Sequence, residues 1–404
     1  SYRLDPDDAV AMMGYVVEDL KNEKFFAYQG GFLRSLFFAG LPEACNRIDA
    51  AFRGLVQTFS GGETVRETLL KLGVPDAAIP GDIYLSSKYD QGLLEFGEEV
   101  IKSGRYLRYR PRSRRTYDEF GTARDSLAAR LAARRQESSF EPLIRAHVGP
   151  YGAGLSRVEA VDLFAHWVSE LAKGGLLDVL SIGTSQLTQE RFGEDWGDRP
   201  NGGGVPLATA EEFRRIWQAS RPLLVRTYAG TKNIPTLAAM YEDTIHICWH
   251  ALSFWWFNRL DGRGPYDLLT NLEQHVQAAK FAAHTRKPLE ANVSHHFAFR
   301  GADDVTYIVA AYLTAKLAKK LGIGLFVLQN MLNTPRLTWG IQDLAKSRAM
   351  LQLVSGLADH RFSVVLQPRA GLDYFRADPE TAKIQLAAVT ALMADIQREQ
   401  SQIP

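Results

Sequence analysis

The sequence predicts an α/β fold, a (β/α)8 barrel preceded by a mostly helical region, and three observations carry that expectation. Short β-branched or apolar runs alternate with helical periods through the second part of the chain, the signature of parallel strands joined by crossover helices. Eight such units occupy roughly 260 residues, close to the ~250 usual for a barrel. Between Lys287 and Asp373 a different polar cluster closes each strand, which is what a ligand-binding barrel face requires. The chain divides accordingly into residues 1–138, helical and ending in an arginine-rich linker, and residues 139–404, the barrel.

With 404 residues, 46% hydrophobic and 23% charged, the chain is long enough for a large core, and nothing argues for disorder. A net charge of +1 gives no reason to expect nucleic acid or a membrane surface as partner. Cys45 and Cys248 exclude a disulfide scaffold. Ser1 to Asp8 lacks the basic and apolar regions of a secretory signal, so a cytoplasmic protein is expected.

In the first region, Asp7 and Asp8 start a helix through Leu20, Leu41-Pro42-Glu43 opens one reaching Phe59, and Thr64 to Leu72 forms a third. Arg105 to Arg115 interleaves six arginines with Tyr106 and Tyr109, either a solvated linker or a grip on an anion. Ser126 to Gln136 is a short helix leading into the barrel. Strands follow at Pro142–Val148, Leu177–Ile182, Gly203–Leu207, Leu223–Tyr228, Ile245–His250, Leu289–His296, Gly324–Leu328 and Phe362–Leu366. The helices between and after them run from Val158, from Ala210 behind its cap Thr209, and from Pro235, Tyr266, Asp303, Ile341 and Pro379. A doubly wound open sheet is the rival. It would show G-x-G-x-x-G after its first strand, whereas the loop reads Gly149-Pro150-Tyr151-Gly152-Ala153-Gly154.

The mouth of such a barrel would gather Arg145, His147, Ser185, Gln186, Arg226, Tyr228, Trp249, His250, Asn292, His295 or His296, Gln329, Asn330, Gln367 and Arg369. Arginine within a strand is expensive to bury without a partner, so Arg145 and Arg226 point to an anionic ligand in preference to a structural pair. His246 and His250 have metal-ligand spacing for a helix but lie on an expected strand, and no H-E-x-x-H or cysteine cluster exists, so no metal site is expected. His295 and His296 face opposite sides of their strand, and one of them can reach the mouth. Glu290 opens its strand at the closed end, as a structural residue. The absence of a G-x-S-x-G elbow argues against a triad hydrolase, and the scarcity of acids at strand ends argues against paired-acid hydrolases and enolase-like magnesium sites alike. Ser253-Phe254-Trp255-Trp256-Phe257 is a lid, a subunit contact, a wall for a flat cofactor, or packing against the N-terminal helices.

Arg145-Ala146-His147-Val148-Gly149 resembles the Arg-Ala-Gly-Val segment on the first strand of the barrel subunit of glutamate mutase, an adenosylcobalamin-dependent isomerase. Arg226-Thr227-Tyr228-Ala229-Gly230-Thr231 resembles that family's Arg-x-x-Gly-Thr, with one extra residue, and Leu289 through Ala345 follows the same order of strand, helix, strand, polar loop and helix. The resemblance implies that Arg145 and Arg226 bind a substrate carboxylate, with Gln189 and Arg191 near the place of a third family arginine. Asn292, Gln329, Asn330 and Arg369 complete the expected substrate side, His250 and His295 are the candidate catalytic histidines, and Gly230, Thr231 and Trp249 face the cofactor. The family's acid that meets the substrate amine is replaced by Trp249-His250, so glutamate itself is not the expected substrate. Asp-x-His-x-x-Gly, which binds cobalamin in such enzymes, is absent, so a partner chain or another segment must carry adenosylcobalamin or another corrinoid, in an oligomer. A corrinoid methyltransferase barrel and a non-catalytic binding partner of a cobalamin protein are the alternatives.

Overall fold

The computed structural model describes residues 81–110, 116–136, 142–150, 154–199, 201, 203–259, 264–292, 304–332, 340–370, 375 and 378–397. The expected helices before residue 73, Arg112, Arg114, Arg115, His295 and His296 lie outside these residues. In chain order the helices are α1 (Gly81–Ser103), α2 (Leu127–Arg135), α3 (Arg157–Gly174), α4 (Gln186–Arg191) and α5 (Ala210–Ala219), then α6 (Ile234–Ile245), α7 (Leu268–His284), α8 (Asp304–Lys320), α9 (Gly340–Ser355) and α10 (Pro379–Asp395). The strands are β1 (Arg145–Val148), β2 (Val179–Ile182), β3 (Leu224–Thr227), β4 (His250–Leu252), β5 (Leu289–Ala291), β6 (Leu325–Leu332) and β7 (Ser363–Ala370).

Local chemistry sets many of these boundaries. Ser156 with Glu159 and Thr209 with Glu212 form complete capping boxes at the starts of α3 and α5, satisfying amides that the first helical turn leaves unpaired. Asp267 and Asp378 cap α7 and α10 through their carboxylates. Gly175, at φ 68°, ends α3 in the left-handed conformation that glycine adopts without a Cβ penalty.

All strand pairs are parallel, as the alternation of strand and helix requires, but the strands number seven among the described residues and the sheet is in two parts. One has the order β1-β2-β3 and the other β4-β5-β6-β7, joined by a single bridge between Tyr228 and Ala251. The expected strand at Gly203–Leu207 contributes only the bridge Thr184–Val205, while β2 pairs directly with β3 from Val179–Leu224 to Ile182–Thr227. The reason is local: Gly204 sits at φ 92° and Pro206 has no amide hydrogen to continue a ladder. No ladder joins β7 to β1 among the described residues, so the hydrogen-bonded cylinder expected from the sequence is not closed.

Two further boundaries move. His246, at φ 45°, caps α6, so the residues read as the start of a strand at Ile245 finish a helix and β4 begins only at His250. β6 and β7 run on through Gln329-Asn330 and Gln367-Pro368-Arg369, so these polar residues lie within strands instead of in the loops beyond them.

The sheet nevertheless curls. Flat, β3 and β7 would stand about 19 Å apart, four steps of ~4.8 Å. Yet Arg369 on β7 donates to the Tyr228 hydroxyl, just past β3, at 3.3 Å. Inside the curl an apolar plug of Val179, Leu224, Trp249 and Val327 is completed by Leu127 of α2. α2 thus covers the N-terminal ends of the strands. It is pinned there by Arg134, which pairs with the buried Asp178 at 3.2 Å, and by Arg130, which donates to the Pro222 carbonyl ahead of β3 and is itself held by Asp125 at 2.6 Å, just before the helix. Outside, two larger apolar clusters pack the sheets against the helices. Phe254 and Trp256 belong to one of them, beside Ala278, Ala279 and Tyr307 of α7 and α8, which places that aromatic run in core packing. Among the described residues, no helix is long and apolar enough to cross a membrane.

Candidate functional site

Side chains on a strand alternate between faces, and above the plug the inward positions turn polar. Arg145 and His147 come from β1, Ser181 from β2, Arg226 from β3, Glu290 from β5, Gln329 from β6, and Gln367 and Arg369 from β7. Arg226 is fully buried and donates to both oxygens of Glu290, at 2.7 and 2.6 Å, and to the Ser181 hydroxyl at 3.0 Å. Glu290 also accepts from the Trp249 indole at 2.5 Å, Gln329 at 2.7 Å and Gln367 at 3.3 Å. Burial alone would raise this carboxyl, but Arg226 and Arg145 outweigh it and hold Glu290 at about 2. It is therefore a permanent anion, and Arg226 is its counter-ion.

Arg145 and Arg369 have no such partner. Among the described residues neither meets a carboxylate within ion-pair distance, and Arg145 Nη1 is buried without a hydrogen bond. Burial, with repulsion from Arg226 and Arg369, lowers Arg145 to about 9. Tyr228 responds to the same field: burial would raise its phenol, but Arg369, Arg226 and Arg145 draw it down to about 8. The Arg226 guanidinium lies 4.7 Å from the centre of the Tyr228 ring. His147 completes the wall, its Nδ1 3.0 Å from the Ser181 hydroxyl and its ring centre 5.5 Å from that of Tyr228. It is accessible to solvent although protein atoms crowd it from most directions, the condition of a side chain lining a concavity. Three guanidiniums and one carboxylate leave an interior that favours an anion.

Of the substrate-side residues read from the sequence, Arg145, Arg226, Gln329 and Arg369 come together here. Arg226 does so within a buried ion pair, the arrangement the sequence reading ranked second. Asn330 turns to the helix layer, accepting from Tyr307 at 2.9 Å and donating to Ser347 at 2.5 Å, because it stands one residue from Gln329 and so on the opposite face. Asn292 follows β5, wholly buried, its amide bonded to the Leu252 carbonyl. Gln189 and Arg191 lie on α4: Gln189 donates to the Thr184 carbonyl at 3.0 Å, and Arg191 pairs with Glu194 at 3.3 Å, a third exposed.

His250 also points outward, 3.0 Å from Glu242 and against Phe281, so it does not reach the polar interior. Trp249, its neighbour on the inward face, is buried beneath Glu290 in the plug and not at the mouth. Gly230 and Thr231 close onto α4, Thr231 N meeting the Gln189 carbonyl at 2.9 Å. Sequence reasoning missed Glu290 as the hub and left Ser181 out. The signal for Glu290 was its isolation as an acid between apolar residues, in a chain with an arginine on a nearby strand.

Beside this interior, where Pro150 follows β1, an open cavity of about 810 Å³ is lined by Leu155, Arg157, Leu187, Trp196 and Asp198. Among the described residues no group of histidine, cysteine and acidic side chains is placed to hold a metal ion. Comparison of the whole chain with models of known protein families and with curated proteins finds no match.

Proposed function

We propose that this chain holds a small carboxylate substrate above the apolar plug and serves as the substrate-binding subunit of a cobalamin-dependent isomerase. The observation that carries the first half is the pair of guanidiniums, Arg145 and Arg369, that face a polar interior with no carboxylate partner among the described residues. Burying a charge without a counter-charge is costly, and a ligand carboxylate would supply it bidentately. Parallel strands presenting polar side chains inside a curled sheet suit that role, in the manner of a barrel. The isomerase half is supported by the resemblance of the segments around Arg145 and Arg226 to the glutamate mutase barrel subunit. The residues expected to face a corrin do not fit one. Trp249 is buried under Glu290, and Gly230 and Thr231 are packed against α4. The reading therefore leaves the corrinoid to a partner chain.

Calorimetric titration with acetate, propionate, succinate and glutarate tests the carboxylate half. Binding of at least one acid is expected, weakened roughly 10- to 100-fold by Arg145→Gln and by Arg369→Gln, since a charge-assisted hydrogen bond is worth about 1.5–3 kcal/mol. Unchanged binding in both variants would remove the arginines from the site. Electron paramagnetic resonance of the chain mixed with adenosylcobalamin, a cobalamin-carrying partner and the bound acid tests the isomerase half, which predicts a cobalt(II)–radical signal.

A further inference from the structure

Ser181 and His147 form a link that carboxylate binding alone leaves unused. The Ser181 hydroxyl is wholly buried, and its partners are Arg226 Nη1 and His147 Nδ1, each at 3.0 Å. A guanidinium only donates, so the Ser181 oxygen accepts from Arg226, and His147 Nδ1 is the acceptor left for the serine proton. An unsatisfied buried donor is costly, so the network fixes a neutral imidazole with its proton on Nε2. Charge acts in the same direction. Burial first, then Arg369 of β7, Arg145 of β1 and Arg226 of β3, hold His147 well below the ordinary histidine range. Glu290 locks Arg226, so a chain of contacts from Glu290 through Arg226 and Ser181 sets the ring.

The Nε2 end has no hydrogen-bond partner among the described residues, and His147 is the most exposed member of β1, whose other residues are half-buried. Its neighbour there is Gly183, where an added Cβ would stand 3.0 Å from Nε2. His147 and Arg145 are two residues apart on one strand and share its inward face.

We propose that His147 is a specificity-determining residue whose Nε2–H donates to a hydroxyl or carbonyl oxygen on the carboxylate held by the arginines. This rests on the carboxylate reading and narrows it to oxygen-substituted acids. A substrate ammonium would suit the site poorly. It cannot accept from Nε2–H, the guanidiniums repel it, and Glu290 already receives Arg226, Trp249, Gln329 and Gln367.

The test is calorimetric titration of the full chain with glutarate, 2-hydroxyglutarate, 2-oxoglutarate and glutamate, which differ at one carbon. The two oxygenated acids should bind roughly tenfold more tightly than glutarate, the worth of about one hydrogen bond, and glutamate more weakly than glutarate. His147→Ala should bring the ratio of oxygenated acid to glutarate close to one. His147→Gln, which restores an N–H donor, should recover part of it. Nitrogen-15 NMR of the imidazole should show Nε2 protonated and Nδ1 bare at pH 7. An equal ratio in the native chain, a ratio that survives His147→Ala, or a proton on Nδ1 would each overturn the assignment while leaving the arginine site standing. Failure of all four acids to bind would overturn the histidine contact, and failure of acetate, propionate and succinate as well would sink the carboxylate reading with it.

Discussion

Glu290 organises the polar interior, since four side chains from four strands or their edges converge on it: Arg226, Trp249, Gln329 and Gln367. Its role was hard to see in the sequence. An acid near the start of a strand reads as lying at the closed end, and alternation reveals the face a residue takes but not its height against neighbouring strands. Here Ala251 pairs with Glu290 and Glu290 with Val327, which lifts the carboxylate to the level where Arg226 arrives from β3. A pH dependence follows. The folded value of about 2 lies below the ordinary 4.5, so Glu290 contributes stability that is fully present above pH 4.5 and lost as pH falls toward 2. The size is roughly 3 kcal/mol, from 1.36 kcal/mol per unit. Urea unfolding between pH 2 and 6 should show this loss in the native chain and not in Glu290→Gln, which should itself be less stable at pH 7 by about 3–5 kcal/mol because Arg226 is left buried and unpaired. An identical pH slope in the two chains would show that the carboxylate is not held this way.

At the level of elements, helices were more legible than strands. The helix starts at Arg157, Ala210 and Pro379 are marked by capping serine, threonine or aspartate, a signal contained within four residues. A strand needs a partner, and the run at Gly203–Leu207 has β-branched and apolar residues but finds only Thr184 to pair with. The turn after β3 shows the reverse, a motif whose function in the fold was hidden by a functional reading. Gly230 has φ 89°, and a Cβ there would lie 2.5 Å from Leu237 Cδ1 and 3.0 Å from the Gln189 carbonyl oxygen. Glycine is needed to bring β3, α4 and α6 together, whether or not a cofactor lies nearby. Gly230→Ala should destabilise the chain by about 1–3 kcal/mol through backbone strain and overpacking, measured as a lower urea midpoint with unchanged slope. A midpoint equal to that of the native chain would mean that this turn tolerates a side chain.

At the scale of the whole molecule, the parallel α/β class and the clustering of Arg145, Arg226, Gln329 and Arg369 were legible, because both follow from periodicity and from the cost of burying arginine. Closure was not, because it depends on how β1 and β7, the first and last strands, meet. Helix α1 is tied to the last two helices, α9 and α10, by contacts distant in sequence. Tyr89 of α1 donates to Asp395 at 2.7 Å, and Asp90 accepts from the Gly340 amide at the start of α9 at 2.7 Å. At the bottom, Asp178 joins three parts at once. It receives Arg134 of α2 at 3.2 Å and the Ile144 amide at 2.9 Å, while its own backbone lies one residue before β2. Removing it leaves Arg134 buried beside an unpaired amide, and α2 loses its charged anchor to the strands. Asp178→Ala should therefore cost about 3–5 kcal/mol, the range for breaking a buried pair. Hydrogen exchange should rise first in residues 127–135 and 144–148, the segments that Asp178 joins, before it rises in α10 on the far side. Uniformly faster exchange would instead mean that α2 unfolds only with the whole protein, and that Asp178 stabilises the fold without acting as its local fastening.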